Sequence, residues 1–437
     1  MMARLTDVYK QSFIKDLTTL IQIPSVLQEY KPKEKHPFGD DIQAALDAML
    51  AIGKRDGFHT FSVDNYAGVI EIGEGEEVGI LGHLDVVPVQ DGWTYGPFSA
   101  TIEDGKMIGR GVNDDKGPTM AAYYAMKWIK DSGIPLKRKL RLIVGVDEES
   151  GMRCIQHYLK NYPPSAIAFA PDAVFPLIYA EKGIHSCEVS GTETSILAFE
   201  SGQRLNMVPE VAKVRLSDDL SKEFLAYLAS TGLKGEVKND WLVLYGKGAH
   251  AMQPDEGVNA AVKLGQFLAQ YVNTPFTQLL STMDTSGKAF GIDYVSEEMG
   301  SITFNVGLVQ VKDGVFSIKI NTRIPKGYPY MSKFEAALSK YGTYKELHDV
   351  PVHYVSKDSE LVSTLINAYQ VVTGDTVSQP ITIGGGTYAR MFPNAVAFGA
   401  MLPGRDDVAH RVDEYMLLED LYTAIEVYIQ ALLDLAT

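Results

Sequence analysis

Three short apolar runs in this chain each give way almost at once to acidic residues. VGILGHL leads into Asp85, KLRLIVGV into Asp147, Glu148 and Glu149, and SAIAFA into Asp172 two positions on. Continuous apolar runs of this length suit strands covered on both faces of a sheet. Helix-period stretches such as TMAAYYAMKWIKDSG lie between strand-like runs. Strands alternating with helices predict an α/β layer fold with a mostly parallel sheet. Ligands bind such sheets beyond the carboxyl ends of the strands. The acids stand at those ends, so the fold and the candidate site follow from one pattern.

The texture changes near His185. Short alternating strands appear (CEVSG, VAKVRLS, WLVLYG, FNVGLVQVKDGVFSIKINTRI), with two helical stretches, EGVNAAVKLGQFLAQYV and SKFEAALSKYG. This reads as a separate α+β domain, with Trp241 and Phe267 in its core. Past Val350 the first texture returns, with helix SELVSTLINAYQVVTG, strand AVAFGAML and a long terminal helix. The expected layout is a discontinuous α/β catalytic domain (1–184 and 351–437) with an inserted α+β lid domain (185–350). A chain of 437 residues agrees with two or three domains.

Charge narrows the function. Forty lysines and arginines against 55 aspartates and glutamates give −15. That disfavours nucleic acid and anionic membrane surfaces, which need a positive footprint. The apolar runs are well short of the ~20 residues of a membrane helix. The first 25 residues lack the apolar core and small-residue cleavage site of a secretory leader. Two cysteines, Cys154 and Cys187, offer no disulfide framework. A cytoplasmic protein is expected.

The candidate chemistry comprises His83 and Asp85 in GHLDVVP, Asp114 and Asp115 in GRGVNDDKGP, Asp147, Glu148 and Glu149 in DEESG, Asp172 in APDA, and His410 in AHRVDE. Imidazole and carboxylate together suit zinc, and also manganese or cobalt. Taken singly, each motif has a plainer reading. An HxD follows many strands by chance. Asp114–Asp115 could be a turn with a helix cap. DEES could be a solvated helix start, and His410 a surface histidine. Their joint occurrence at strand ends favours the site. With Asp114, Glu149 and Asp172 as ligands, three negative charges would be balanced by two divalent ions and one hydroxide. One ion would leave excess charge in a partly buried place.

These motifs, with NMVPE, GKGAHA and GGGTYAR, run from IPSV to AHRVDEY in an order that resembles the co-catalytic di-zinc metallopeptidases. That family includes carboxypeptidase G, aminoacylase and carnosinase-type dipeptidases, and the likeness is nearest to the bacterial peptidase V type. The resemblance implies one metal on His83, Asp114 and Asp172, and another on Asp114, Glu149 and His410. It implies Glu148 as general base toward a hydroxide bridging the two ions, and Asp85 as the partner of the far nitrogen of His83. A cis peptide is expected at Asp114–Asp115. His250 would steady the oxyanion, while Arg323 and Asn206 would hold the substrate carboxylate. Gly385 would let backbone approach the substrate. Aspartate rather than glutamate at position 172 tilts the resemblance toward substrates with a free amine. The expected activity is hydrolysis of dipeptides with free ends, using two divalent ions, zinc before manganese or cobalt. An N-acyl amino acid deacylase or an aminopeptidase of the same fold is the alternative. A monomer is expected, with a dimer through the lid domain as the other possibility.

Overall fold

The computed structural model describes residues 5–437. It resolves into two compact units. The first takes in residues 5–180, 354–381 and 386–437. The second takes in Glu181–His353 and Thr382–Gly385. Among the described residues, no helix is long and apolar enough to cross a membrane.

The chain is α/β. In the first unit the strands run in the spatial order His59–Val63, Ala67–Ile72, Lys139–Gly145, Glu77–His83, Ile167–Ala170, Ala395–Ala397 and Ile178–Glu181. The four central strands, from Lys139–Gly145 to Ala395–Ala397, are mutually parallel. The flanking pairs are antiparallel. The run FSVDNYAGVIEIG, strand-like throughout by composition, is a hairpin whose turn residues Asp64 and Asn65 have φ of 51° and 62°. Asp and Asn tolerate that left-handed region; the Tyr66 N–H closes the turn on the Val63 carbonyl at 2.9 Å, leaving three residues between the paired Val63 and Ala67.

Central strand Glu77–His83 is buried along nearly its whole length. The helix Lys116–Asp131 packs against it. Gly82 permits the close approach, because a β-carbon there would lie 1.9 Å from Thr119 Oγ1. The helix therefore begins directly beside the carboxyl end of the strand, and the Asp114–Asp115 turn arrives next to His83. The terminal helix Leu418–Ala436 packs against the same helix.

The second unit holds an antiparallel sheet in the order Lys234–Lys238, Trp241–Tyr245, Val211–Leu216, Ile196–Ser201, Thr303–Lys312, Val315–Ile324, Gly183–Thr192 and Thr343–Val350. Alternate residues such as Val189, Val214, Val309 and Ile318 join Phe267 and Leu280 from the helices in one apolar core. Besides Ala260–Leu268 and Met331–Leu338, which the periodicity indicates, Ser221–Thr231 and Pro275–Thr282 are helical. Trp241 is not a core residue. It is half-buried, with Lys213 Nζ 4.7 Å from its ring centre. The alternation of its strand puts Leu242 and Leu244 into the core instead.

Candidate metal centre

His83 ends its strand with a fully buried side chain. Its backbone N–H donates to Asp115 Oδ2 at 3.1 Å. Ring atom Nδ1 lies 2.9 Å from the Asp85 carbonyl oxygen, which can only accept, so the proton sits on Nδ1. Nε2 is thereby aimed at Asp114 Oδ1, 3.0 Å away, and Asp172 Oδ2, 3.7 Å away. The Asp85 carboxylate does not take the expected place on the far nitrogen of His83. It lies 3.6 Å from Nδ1, and its two oxygens accept the N–H groups of Glu148 and Glu149, each at 3.1 Å. Two amides of the turn after strand Lys139–Gly145 outcompete one imidazole for the same carboxylate, and the Asp85 backbone serves the ring instead.

Asp114 is the meeting point. Its Oδ1 faces His83 and its Oδ2 faces His410 Nε2 at 2.9 Å. The same His410 nitrogen is 3.1 Å from Glu149 Oε1. The Asp114–Asp115 peptide is cis. Asp115 occupies the N-cap position of helix Lys116–Asp131, but its side chain makes no cap bond to the helix backbone. It holds His83 N–H and Thr119 Oγ1 instead, the latter at 2.7 Å. The acids of DEES are not a helix start either. The helix begins at Arg153, where Asp147 accepts from the Arg153 backbone N–H at 2.9 Å and from its Nε at 2.7 Å. Glu148 and Glu149 stand on the turn between strand and helix.

Two groups of three donors result: His83, Asp114 and Asp172, and Asp114, Glu149 and His410. In each, the donor atoms lie within 4.8 Å of one another. Crowding of buried carboxylates has an electrostatic price. Burial and the Asp114 charge push Glu149 up to about 7 and Asp172 up to about 6. Burial, with Asp172 next, raises Glu148 well above its usual range. Burial opposes protonation of His410, yet Asp114 and Glu149 raise it to about 11. Like charges packed this closely need positive charge among them. Imidazole nitrogens with carboxylate oxygens are a donor set that suits divalent zinc, manganese or cobalt. The residues present fit a pair of such ions.

The remaining candidates lie in the second unit. The exposed residue Asn206 accepts the Ala251 N–H on its carbonyl at 2.9 Å, and Met207 pairs with His250 in an isolated antiparallel bridge. His250 Nδ1 accepts from the Met252 N–H at 3.2 Å, which puts the proton of a neutral ring on Nε2. A β-carbon on Gly384 would lie 2.7 Å from Met252 Cβ. Arg323, buried on its strand, donates to the Gly384 carbonyl at 2.9 Å and to Asn321 Oδ1 at 3.1 Å. Asn206, His250, Arg323 and the Gly384–Gly385 turn are thus neighbours within one unit.

The motif reading gave no role to Asp115 or Glu414. Each is a buried acid beside a proposed ligand. The only signals for them were the doubled aspartate and the final letter of AHRVDE.

Residues 79–434 match the profile of peptidase family M20/M25/M40. A Bacillus subtilis (strain 168) protein named "Putative dipeptidase YtjP" is 40% identical over 456 aligned positions, covering 98% of each chain. Human carnosine dipeptidase 1 superposes with a TM-score of 0.61 at 15% identity, over 98% of this chain and 96% of that one. The Saccharomyces cerevisiae dipeptidase Dug1p gives 0.59 at 17% identity, over 97% and 96%. At these identities the two structural likenesses bear on the fold.

Proposed function

The chain belongs to peptidase family M20/M25/M40 and is a metallopeptidase; on that premise we propose that it hydrolyses dipeptides with free amino and carboxyl ends. The observation that carries the reading is Asp114, whose two oxygens face two separate donor groups. The name of the 40% identical relative supports the substrate class.

In this proposal His83, Asp114 and Asp172 hold one divalent ion, and Asp114, Glu149 and His410 hold the other. Zinc is the first choice, with manganese or cobalt as substitutes. Bound there, two divalent ions would supply Lewis acidity, polarising the scissile carbonyl and acidifying a water. Glu148 takes the proton of the attacking water and delivers it to the leaving amine. Asp85 aims that base through the backbone, because its carboxylate grips the amides of Glu148 and Glu149. His250 donates from Nε2 to the developing oxyanion. Arg323 and Asn206 take the substrate carboxylate, for which a planar guanidinium is well shaped. Gly385 offers backbone without side-chain obstruction, and Asp172 also meets the substrate ammonium. Domain limits of 1–184, 185–350 and 351–437, with the middle one as a lid, complete the proposal. We further propose a monomer. Its two free, buried cysteines support a reducing cytoplasm.

A panel of dipeptides with free or blocked termini, assayed on protein reloaded with defined metal, tests this. Hydrolysis should vanish when the amine is acylated and fall when the carboxylate is amidated. Preference for acylated amino acids would identify a deacylase instead. Tolerance of an extended carboxyl side would identify an aminopeptidase.

A further inference from the structure

The two donor groups share a support that neither the ligands nor the base provides. Glu414 stands four residues beyond His410 and is fully buried. Its Oε1 accepts three backbone N–H groups, from Gly111 at 3.0 Å, Asn113 at 2.8 Å and Asp114 at 3.2 Å. Its Oε2 accepts from Arg110 Nη1 at 2.6 Å, and its carbonyl accepts the Gly109 N–H at 2.9 Å. The backbone of 109–114 is therefore wrapped around one carboxylate. Gly111 enables this with φ of 88°, a left-handed value glycine adopts without cost. Successive amides turned toward one point make an anion-binding concavity.

The network continues to His410. Arg110 Nη2 donates to Gln90 Oε1 at 3.0 Å, and Gln90 Nε2 donates to the His410 carbonyl at 2.8 Å. His410 and Asp413 have φ of 61° and 56°. This loop therefore makes two left-handed bends between its ligand and Glu414, and it has no strand ladder at His410 to fix it.

We infer that Glu414, through Arg110 and Gln90, is a positioning residue that sets the spacing between Asp114 and His410 and so builds the second donor group. The inference rests on the two-ion reading for its metal readout, but the bracket itself is visible without metal. Glu414 belongs to neither donor group. A glutamine at 414 would keep one acceptor oxygen for the three amides, yet would turn an NH₂ toward the Arg110 guanidinium. Donor then faces donor beside a buried cation, and the bracket opens.

The test uses the full chain, stripped of metal and titrated with Co²⁺ alone by calorimetry and visible absorption. The variants are Glu414→Gln and Gln90→Ala, with His410→Ala marking the signature of a lost second group. Wild type should take up two equivalents. Glu414→Gln should keep one at wild-type affinity and bind the other at least about tenfold more weakly, as for outer partners of metal ligands. Its spectrum should approach that of His410→Ala, and Gln90→Ala should move the same way by a smaller factor. In metal-free protein, amide exchange at Gly111, Asn113 and Asp114 should accelerate in both variants. Unchanged second-site affinity and exchange would overturn the inference, as would equal weakening of both sites. If Glu414→Gln does not fold, Gln90→Ala decides on the same two readouts, since Gln90 is exposed. If wild type fails to take two equivalents, the two-ion reading falls, and amide exchange alone judges the bracket.

Discussion

The two donor groups meet at Asp114 but are held in place by different means. His83 ends the strand Glu77–His83, which is paired through its last residue with Lys139–Gly145, and Asp172 comes two residues after the neighbouring parallel strand Ile167–Ala170. The His83 side chain is fully buried, whereas His410 keeps 51% of its side-chain surface within a loop. Glu149 is on a turn, and both depend on side chains gripping backbone: Asp85 for Glu149, Gln90 for His410. A strand positions a ligand through hydrogen bonds it makes in any case. A loop needs dedicated carboxylates and amides to do the same. The second group should therefore be the more easily perturbed of the two.

That contrast can be broken most severely at the shared residue. Asp114→Ala should remove both groups, with metal content below one equivalent. About 5–6 kcal/mol of Lewis-acid assistance would be lost, on the order of 10⁴-fold in kcat/KM. A variant that retained half its activity would show that the groups are not coupled through Asp114. Next in size is Glu148→Gln, which should lower kcat about 10²–10⁴-fold while metal analysis still finds both ions. Loss of metal in that variant would move Glu148 from base to ligand.

Smaller changes sharpen the contrast. Asp85→Asn keeps one acceptor oxygen where two amides need one each. It should reduce kcat about 10–100-fold with KM little altered, and the Glu148 and Glu149 amides should exchange faster by NMR. Unaltered exchange would return Asp85 to a role on the imidazole alone. The mildest test changes no residue. In wild type, the His83 amide, buried and donating to Asp115 Oδ2, should exchange on the order of a hundredfold more slowly than that of His410, because buried hydrogen bonds of a central strand open with the core and loops open by themselves. Comparable rates would erase the difference between strand-held and loop-held ligands.

Much of this was legible along the chain. Apolar runs ending in VGILGHL, KLRLIVGV and SAIAFA reported both the α/β fold and the edge where acids gather. Strand and helix periods are properties of near neighbours, and burial on both faces leaves a plain apolar mark. Local errors had local causes. FSVDNYAGVIEIG hides its turn because aspartate and asparagine resemble ordinary polar strand residues until their φ is known. Trp241 looks like core by composition, but its strand register turns it outward.

The sequence by itself determined which residue types stand at the strand ends, and hence the class of chemistry open to this protein. Only the tertiary structure decided how those residues are held. The Glu414 carboxylate receives amides some 300 positions earlier in the chain, at Asp114, Asn113 and Gly111. Asp85 likewise gives its side chain to a turn more than sixty positions away and its backbone to His83. A buried carboxylate bonds to whichever donors packing brings within about 3 Å, and no periodicity in sequence records that distance.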